Sequence, residues 1–248
     1  MNHFNAIVLH QIVQQRSKSF IDVTIKTLHH ILMKSKSKGE LLTIDQASLK
    51  PNISGRAVCI TFDDGFSSDH DLVLPELKKI GAKATFFIVT DWLNKPGYLT
   101  EKQVRNLSEE GMQIGSHSKS HPNFLNITAK ERIDELRLSK QTLENIIDKE
   151  ISTFSFPFGF YDDSCVQSVF DANYKICCTS KHGLSSCSNP IVPRNSINAN
   201  TSLHRIDNIL KATLVQRILW YLEDVVKENL KHSFPRLYKI LRDRISNY

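Results

Sequence analysis

Two adjacent carboxylates, Asp63 and Asp64, follow a short apolar run at residues 57–62, and Gly65 comes directly after them. A run of small and β-branched apolar residues that stops at polar residues and a glycine is typical of a buried strand. Two carboxylates at the end of such a strand are costly unless a cation pairs with them. A metal ion would hold one carboxylate and leave the other as a base. A plain turn is the alternative, because Asp and Gly are common turn residues.

Two histidines, His117 and His121, stand four residues apart in a serine-rich stretch. On one helical turn this spacing would place both imidazoles on the same face. Pro122 disfavours helical backbone at His121, so we expect one tight turn after a strand. Two imidazoles and one carboxylate form a facial set of three metal ligands, which leaves positions open for water and substrate.

Three short motifs occur in order: Thr-Phe-Asp-Asp-Gly at 61–65, His-Ser-Lys-Ser-His at 117–121 and Phe-Pro-Phe-Gly at 156–159. They resemble the first three motifs of the polysaccharide deacetylase family, which shares the NodB homology domain and forms carbohydrate esterase family 4. The resemblance runs from about Ile7 to about Asn198. It implies an α/β fold, a distorted (β/α) barrel, and a metal-dependent hydrolase that removes an N-acetyl group from a sugar.

The same resemblance implies roles for individual residues. Asp64, His117 and His121 are expected to hold a divalent metal, usually zinc in this family, with cobalt or nickel as alternatives. Asp63 is expected to be the general base. The backbone amide of Phe158 is expected to donate a hydrogen bond to the oxyanion that forms during the reaction.

The chain departs from the family pattern at the residue that orients the base. The third family motif usually carries an arginine two residues before its proline, and Ser155 stands at that position here. Arg194 resembles a later arginine at a strand end in some family members, and it could orient Asp63 instead. The alternative is that Arg194 is a surface residue.

The general acid is the second departure. The family places a histidine in a late apolar motif, but the comparable region, residues 191–198, has none. His182 and His204 are the nearby candidates. His10 follows an apolar run similar to the first strand of the family, and it lies either at the mouth of the site or on a half-exposed strand.

Composition indicates one ordinary globular enzyme domain. The 248 residues are 40% apolar and 23% charged, which suffices for a large core. The five cysteines lack paired Cys-x-x-Cys spacing, so we expect reduced thiols. The first residues show no signal-peptide pattern, and no stretch is long enough to span a membrane. These features favour the cytoplasm, with peripheral contact at the inner membrane face left open.

Apolar periodicity predicts strands that alternate with helices, as in a mostly parallel sheet. The predicted strands cover residues 6–13, 57–62, 82–89, 112–115, 153–156 and 175–179. The predicted helices cover residues 20–33, 71–80, 100–110, 128–148, 165–172 and 213–230. Thr100 with Gln103, and Thr128 with Glu131, predict capping boxes at two of the helix starts.

The C-terminal part lies outside the resemblance. We divide the chain into a deacetylase domain at 1–205 and a basic amphipathic helical tail at 206–248. Residues 231–248 contain five basic residues and one acidic residue, so they carry +4 of the formal net charge of +6. Such a segment either packs on the barrel with a solvated basic face or lies on an anionic membrane surface. Nucleic acid is not an expected partner, because no base-reading motif accompanies the charge.

The sequence therefore predicts an N-deacetylase of bacterial surface polysaccharide or glycolipid biosynthesis. Its substrate would be an N-acetylated glycan, a glycolipid or a nucleotide sugar. Two alternatives remain. One is a catalytically weak homologue that binds glycan, suggested by Ser155 and the missing acid. The other is an acyl esterase or amidase that acts on a non-sugar substrate. The sequence assigns no oligomeric state.

Overall fold

Twelve strands are present in the computed structural model, which describes residues 3–15, 19–49 and 56–233. In chain order they are β1 His3–Leu9, β2 Ile12–Val13, β3 Val23–Thr24, β4 Gly39–Leu41, β5 Arg56–Phe62, β6 Thr85–Ile88, β7 Gln113–Ser116, β8 Thr153–Ser155, β9 Ile176–Thr179, β10 Ser185–Ser186, β11 Ile191–Pro193 and β12 Asn195–Ser196.

Eight α-helices alternate with these strands over the same described residues. They are α1 Ile25–Lys36, α2 Ile44–Leu49, α3 Leu74–Lys79, α4 Glu101–Glu109, α5 Ala129–Ile147, α6 Asp163–Asp171, α7 Leu203–Lys211 and α8 Leu214–Ser233. The alternation confirms the predicted α/β class.

The main sheet is a nearly closed barrel of mostly parallel strands. Strands β1, β5, β6, β7, β8 and β9 lie side by side in that order, each parallel to the next. At the open edge, β11 pairs with β9 while β12 pairs with β1. The two short strands are separated by Arg194 alone. Residues 191–196 therefore bridge the two ends of the sheet.

Alternate strand residues face opposite sides of the sheet, as the pleat requires. On β5, Val58, Ile60 and Phe62 belong to the larger apolar cluster, which also contains the helix side chains. Ala57 and Cys59 belong to a smaller cluster on the other side, which lines the barrel interior. Continued alternation directs Thr61 and Asp63 inward.

Most predicted elements agree with the structure to within a few residues. Both capping boxes are present: the Thr100 and Thr128 hydroxyls accept hydrogen bonds from the backbone amides of Gln103 and Glu131, and the latter side chains accept from the cap amides. The predicted strand at 6–13 is broken at residues 10–11. The predicted helix at 20–33 is wrong at its start, because Thr24 caps α1 and the helix begins at Ile25.

Several short elements were not predicted from the sequence. The short strands β4, β10, β11 and β12 and the helices α2 and α7 were not predicted, since segments of two to nine residues leave little periodicity to detect. The region predicted as a helix at 71–80 starts with a π-helical turn at Asp69–Val73, and α3 follows with Pro75 in its first turn. Proline is tolerated there because its missing amide hydrogen has no partner at a helix start.

The C-terminal region contains α7 and α8. Helix α7 lies against α1 through a hydrogen bond of 2.9 Å between His30 and Asp207. Helix α7 crosses the predicted boundary between residues 205 and 206. The division of the chain into a domain and a tail stays a prediction. Helix α8 matches the predicted helix at 213–230 closely, whereas most of the basic segment falls at 234–248, outside the described residues. Within the described part of the chain, no helix is both long and apolar enough to cross a membrane.

Candidate active site

The carboxylate pair lies where the chain leaves β5 at the C-terminal rim of the barrel. Asp63 continues the inward alternation of β5, and Asp64 takes a positive φ of 79° that turns the chain out of the strand. Gly65 follows with a φ of 76°, and a Cβ there would lie 3.2 Å from the Cγ2 atom of Ile88. The chain therefore turns sharply at Asp64 and Gly65. In parallel α/β barrels this rim is where catalytic side chains collect.

The two histidines lie on the loop after β7, two strands away from β5. As expected, the pair directly follows a strand, and the connection is not helical, because Ser118 and His121 both have positive φ. Glu135 on α5 holds the loop by accepting hydrogen bonds from the backbone amides of Lys119 and Ser120, at 2.9 and 2.8 Å. The Ser120 hydroxyl also donates to Glu135, at 2.6 Å. The sequence did not identify Glu135, because it is 15 or 16 positions from the residues it binds and no sequence motif marks these contacts.

Asp64, His117 and His121 come together in a cluster suited to a metal ion. Their candidate ligand atoms all lie within 4.8 Å of one another. The Oδ1 atom of Asp64 is 3.4 Å from Nε2 of His117 and 3.5 Å from Nε2 of His121. Tetrahedral ligands bonded at about 2.0–2.2 Å to one zinc ion are about 3.3–3.6 Å apart, so the spacing fits such an ion.

Unpaired ligand atoms support the same conclusion. The Oδ1 atom of Asp64 is buried and accepts no hydrogen bond. The Nδ1 atom of His117 lies 2.8 Å from the carbonyl oxygen of Ser155, to which it donates, and this leaves the Nε2 lone pair free for a metal. A buried carboxylate oxygen without a donor is costly, and a bound cation would remove that cost.

Burial shapes the protonation of the ligands. It is the largest influence on Asp64 and raises the pKa of that carboxyl group, opposed by His10 and His117. Burial and then His117 lower the pKa of His121 to about 2. The His121 imidazole is therefore neutral at physiological pH, which is the form that binds metals.

Asp63 is held by Arg194 in a buried, two-pronged ion pair. The Nη1 and Nη2 atoms of Arg194 donate to the Oδ1 and Oδ2 atoms of Asp63 at 2.6 and 2.7 Å. Nη2 also donates to the Ser155 hydroxyl at 2.6 Å, and that hydroxyl donates to Asp63 at 3.2 Å. Arg194 is only 2% exposed, so its interpretation as a surface residue is wrong.

The ion pair keeps Asp63 ionised. Burial by itself would raise the pKa of the Asp63 carboxyl, but the charges of Arg194 and His117 outweigh it and hold the pKa well below its usual range. The guanidinium is itself 5.1 Å from the centroid of the Phe87 ring, inside the barrel. The site thus contains one carboxylate aimed at a metal position and a second, fixed carboxylate beside it.

Comparisons with known proteins point to the same chemistry. The family model described as polysaccharide deacetylase matches residues 50–177, about half of the chain, including all three motifs. The chain belongs to the polysaccharide deacetylase family. Deacetylases of this family, carbohydrate esterase family 4, generally use a divalent metal, and the residues Asp64, His117 and His121 could hold such an ion.

Two curated relatives and one solved structure illustrate the range of similarity. The protein named "Putative polysaccharide deacetylase YxkH" of Bacillus subtilis is 28% identical over 172 residues, 68% of this chain and 60% of the relative. A peptidoglycan-N-acetylglucosamine deacetylase of Bacillus cereus is 28% identical over 128 residues, 51% of this chain and 58% of the relative. The chain thus spans less than two thirds of each curated relative.

The similar structure is that of Streptococcus pyogenes deacetylase PplD in complex with acetate. It superimposes with a TM-score of 0.75 at 23% identity, covering 84% of this chain and 98% of that one. This confirms the predicted distorted (β/α) barrel of the NodB type, with a C-terminal helical extension.

Aromatic rings lie beside the candidate metal site. Phe158 takes a φ of 57° in a tight turn, and its ring lies 4.5 Å from that of His121. The Trp92 ring lies 4.9 Å from that of His121, and the Tyr98 ring lies 5.0 Å from that of Trp92. Phe158 is 40% exposed and can contact a ligand, whereas Phe156 is buried in the core. The role of the Phe158 amide as an oxyanion donor stays a prediction.

The histidines outside the cluster occupy different places. His10 follows Leu9, whose carbonyl oxygen accepts a hydrogen bond of 3.0 Å from the backbone amide of Asp63, so His10 lies beside the carboxylate pair. His182 instead lines a cavity of about 860 Å³ next to α8, with Nδ1 2.8 Å from Asp224. His204 is exposed on α7. Of these three histidines outside the cluster, His10 is the one whose backbone is next to the carboxylates.

Proposed function

We propose that this deacetylase hydrolyses the N-acetyl group of an N-acetylated sugar with the help of a divalent metal, most simply zinc. The observation that carries the proposal is the orphaned Oδ1 atom of Asp64, which faces the Nε2 atoms of two histidines beside an ionised Asp63. That arrangement supplies three protein ligands and one nearby base, which metal-assisted hydrolysis requires.

Asp64, His117 and His121 would hold the metal, which supplies Lewis-acid polarisation of the acetyl carbonyl and acidifies water. Asp63 orients the attacking water and accepts its proton. Arg194 and Ser155 fix both oxygens of Asp63, so the carboxylate presents one lone-pair direction to the water. This positioning removes the need to reorganise the base during the reaction.

Charge that develops on the acetyl oxygen needs a donor, and the leaving amine needs a proton. The Phe158 amide is the proposed oxyanion donor, since the Pro157–Gly159 turn lies directly beside His121. His10 is the proposed proton donor to the leaving nitrogen, because it follows Leu9, whose carbonyl oxygen accepts a hydrogen bond of 3.0 Å from the Asp63 amide.

A glycan is the substrate class that the surroundings of the site favour. The curated relatives include one named for peptidoglycan N-acetylglucosamine. The rings of Phe158, Trp92 and Tyr98 provide flat apolar surfaces, on which the C–H faces of a pyranose ring can stack. We place the reaction in bacterial surface polysaccharide or glycolipid biosynthesis. The cytoplasmic location stays a prediction from the sequence.

Acetate release tests this function. Wild type, Asp63→Asn, His117→Ala and the control Asp134→Asn, an exposed residue on α5, would be assayed with zinc, cobalt or nickel on N-acetylhexosamine oligomers, glycolipids and nucleotide sugars. We expect release by wild type and the control and a loss of at least 100-fold in the two site variants.

Each alternative function has its own outcome in the same assay. Hydrolysis of acyl esters without any release from N-acetyl sugars would identify an esterase or amidase. Metal bound at the cluster with no hydrolysis of any substrate would identify a glycan-binding homologue. Activity that persists in both site variants would contradict the assigned site.

A further inference from the structure

Helix α8 presents its apolar face to solvent. Six large apolar residues are each between 43% and 73% exposed: Leu214, Val215, Ile218, Leu219, Leu222 and Val226. At 3.6 residues per turn these positions form one continuous face, which we call the apolar stripe. In a helix that packs on a core by its apolar side, these would be the buried residues.

The opposite face of α8 is attached to the barrel by polar and aromatic groups. Gln216 and Trp220 are 2% and 3% exposed. The Trp220 ring stacks on His182, and Asp224 accepts from both the ring and the backbone amide of His182, at 2.8 and 3.1 Å. These contacts fix the rotation of the helix, so the outward direction of the apolar stripe follows from specific bonds.

The C-terminal end of the chain, from the last turn of α8 onward, is strongly cationic. The last 18 residues, 231–248, carry five basic residues and one acidic residue. Large apolar residues are interspersed with them: Phe234, Leu237, Tyr238, Ile240, Leu241 and Ile245. An apolar stripe continued by a basic, apolar-rich segment is the pattern of a protein surface that lies on anionic lipid.

We propose that the apolar stripe of α8 binds the surface of an anionic lipid bilayer. The stripe enters the boundary between headgroups and acyl chains. The basic composition of residues 231–248 favours an anionic surface over a neutral one. The polar face of α8 needs no lipid contact, since it is already used by His182 and the barrel. This proposal is independent of the reaction assigned to the site.

A second copy of the chain fits the apolar stripe less well. The stripe runs from Leu214 to Val226, which is twelve steps of 1.5 Å or about 18 Å of helix. Stable protein interfaces bury about 800 Å² of accessible surface per partner, which is more than six half-exposed side chains on one helix face provide. The formal charge of +4 on residues 231–248 would also oppose association of two copies, whereas it favours an anionic surface. A lipid surface needs neither shape complementarity nor a large fixed area.

Vesicle co-sedimentation of the full chain tests the proposal. The stripe variant Ile218→Ser/Leu222→Ser is compared with wild type and with the control Leu138→Ser/Leu203→Ser, whose residues are similarly exposed on α5 and α7. Vesicles contain either phosphatidylcholine alone or an added third of phosphatidylglycerol. We expect wild type and the control to bind the anionic vesicles, with binding weakened by high salt, and the stripe variant to bind at least tenfold less.

Other outcomes overturn the proposal. Equal binding by the stripe variant and wild type would show that the stripe does not contact lipid. If wild type does not bind vesicles but is dimeric by light scattering, and the stripe variant is monomeric, the stripe binds a second copy of the chain. No vesicle binding, with a stripe variant less stable to urea than the control, would show that the chain's own C-terminal segment covers the stripe.

Discussion

Replacing Arg194 by methionine should destabilise the protein and impair the base at once. In the wild type, two guanidinium nitrogens lie 2.6 and 2.7 Å from the two oxygens of Asp63, and both side chains are buried. Arg194→Met keeps most of the volume but leaves Asp63 buried without its cation. Removing one partner of a buried ion pair costs about 3–5 kcal/mol, so we expect the free energy of unfolding in urea to fall by that amount.

The activity should fall for a related reason. Without Arg194, burial raises the pKa of the Asp63 carboxyl, and a protonated carboxyl cannot accept a proton from water. We expect kcat/KM for acetate release to fall about 100-fold or more, mainly in kcat. Arg194→Lys keeps the charge but not the two-pronged geometry, so its losses should be intermediate.

A double-mutant cycle distinguishes an effect of Arg194 that acts through Asp63 from a general packing defect. In Asp63→Asn/Arg194→Met the buried charge is removed along with its partner. The double variant should therefore be more stable than Arg194→Met alone and no less active than Asp63→Asn alone. Additive losses in both stability and kcat/KM would refute the argument that Arg194 acts through Asp63.

Three further predictions concern the surroundings of the site. Glu135→Gln weakens the hold on the histidine loop and should lower zinc affinity about 10-fold in a chelator competition, whereas Asp134→Asn should not. Chelation of the metal should lower the melting temperature of wild type, and His121→Ala should abolish this difference. Asp162 caps α6, and its hydrogen bonds to Ser164 and Cys165 lower its pKa to about 2. This pKa is below that of the same carboxyl in the unfolded chain. Asp162→Ala should therefore lower the free energy of unfolding in urea by its full amount above pH 4, and by progressively less as the pH falls towards 2.

The sequence was sufficient to predict the α/β class and that Asp64, His117 and His121 lie together. Each of the three motifs directly follows a strand of a parallel sheet, and the C-terminal ends of such strands meet at one rim. Asp64, His117 and His121 therefore had to lie near one another once their strands were recognised. Capping boxes were predictable too, because the Thr and the Glu or Gln that form them are three residues apart.

Local geometry was harder to predict from spacing alone. The interval of four residues between His117 and His121 is also that of a helical turn, yet the loop uses two residues with positive φ instead. Its shape depends on Glu135, which comes from the next helix and binds backbone amides. Short elements such as α2 and β12 were not predicted either, because their positions depend on contacts with neighbouring elements and not on their own periodicity.

By itself, the sequence determined which side chains could do the chemistry and that α8 would be an amphipathic helix. Only the tertiary structure decided that Arg194 pairs with Asp63, 131 positions away, because closure of the barrel by residues 191–196 carries the arginine inside. It also decided which way α8 faces. A helical period is the same whether the apolar side meets the core or solvent, and the contacts of Trp220 and Asp224 with His182 select the second orientation.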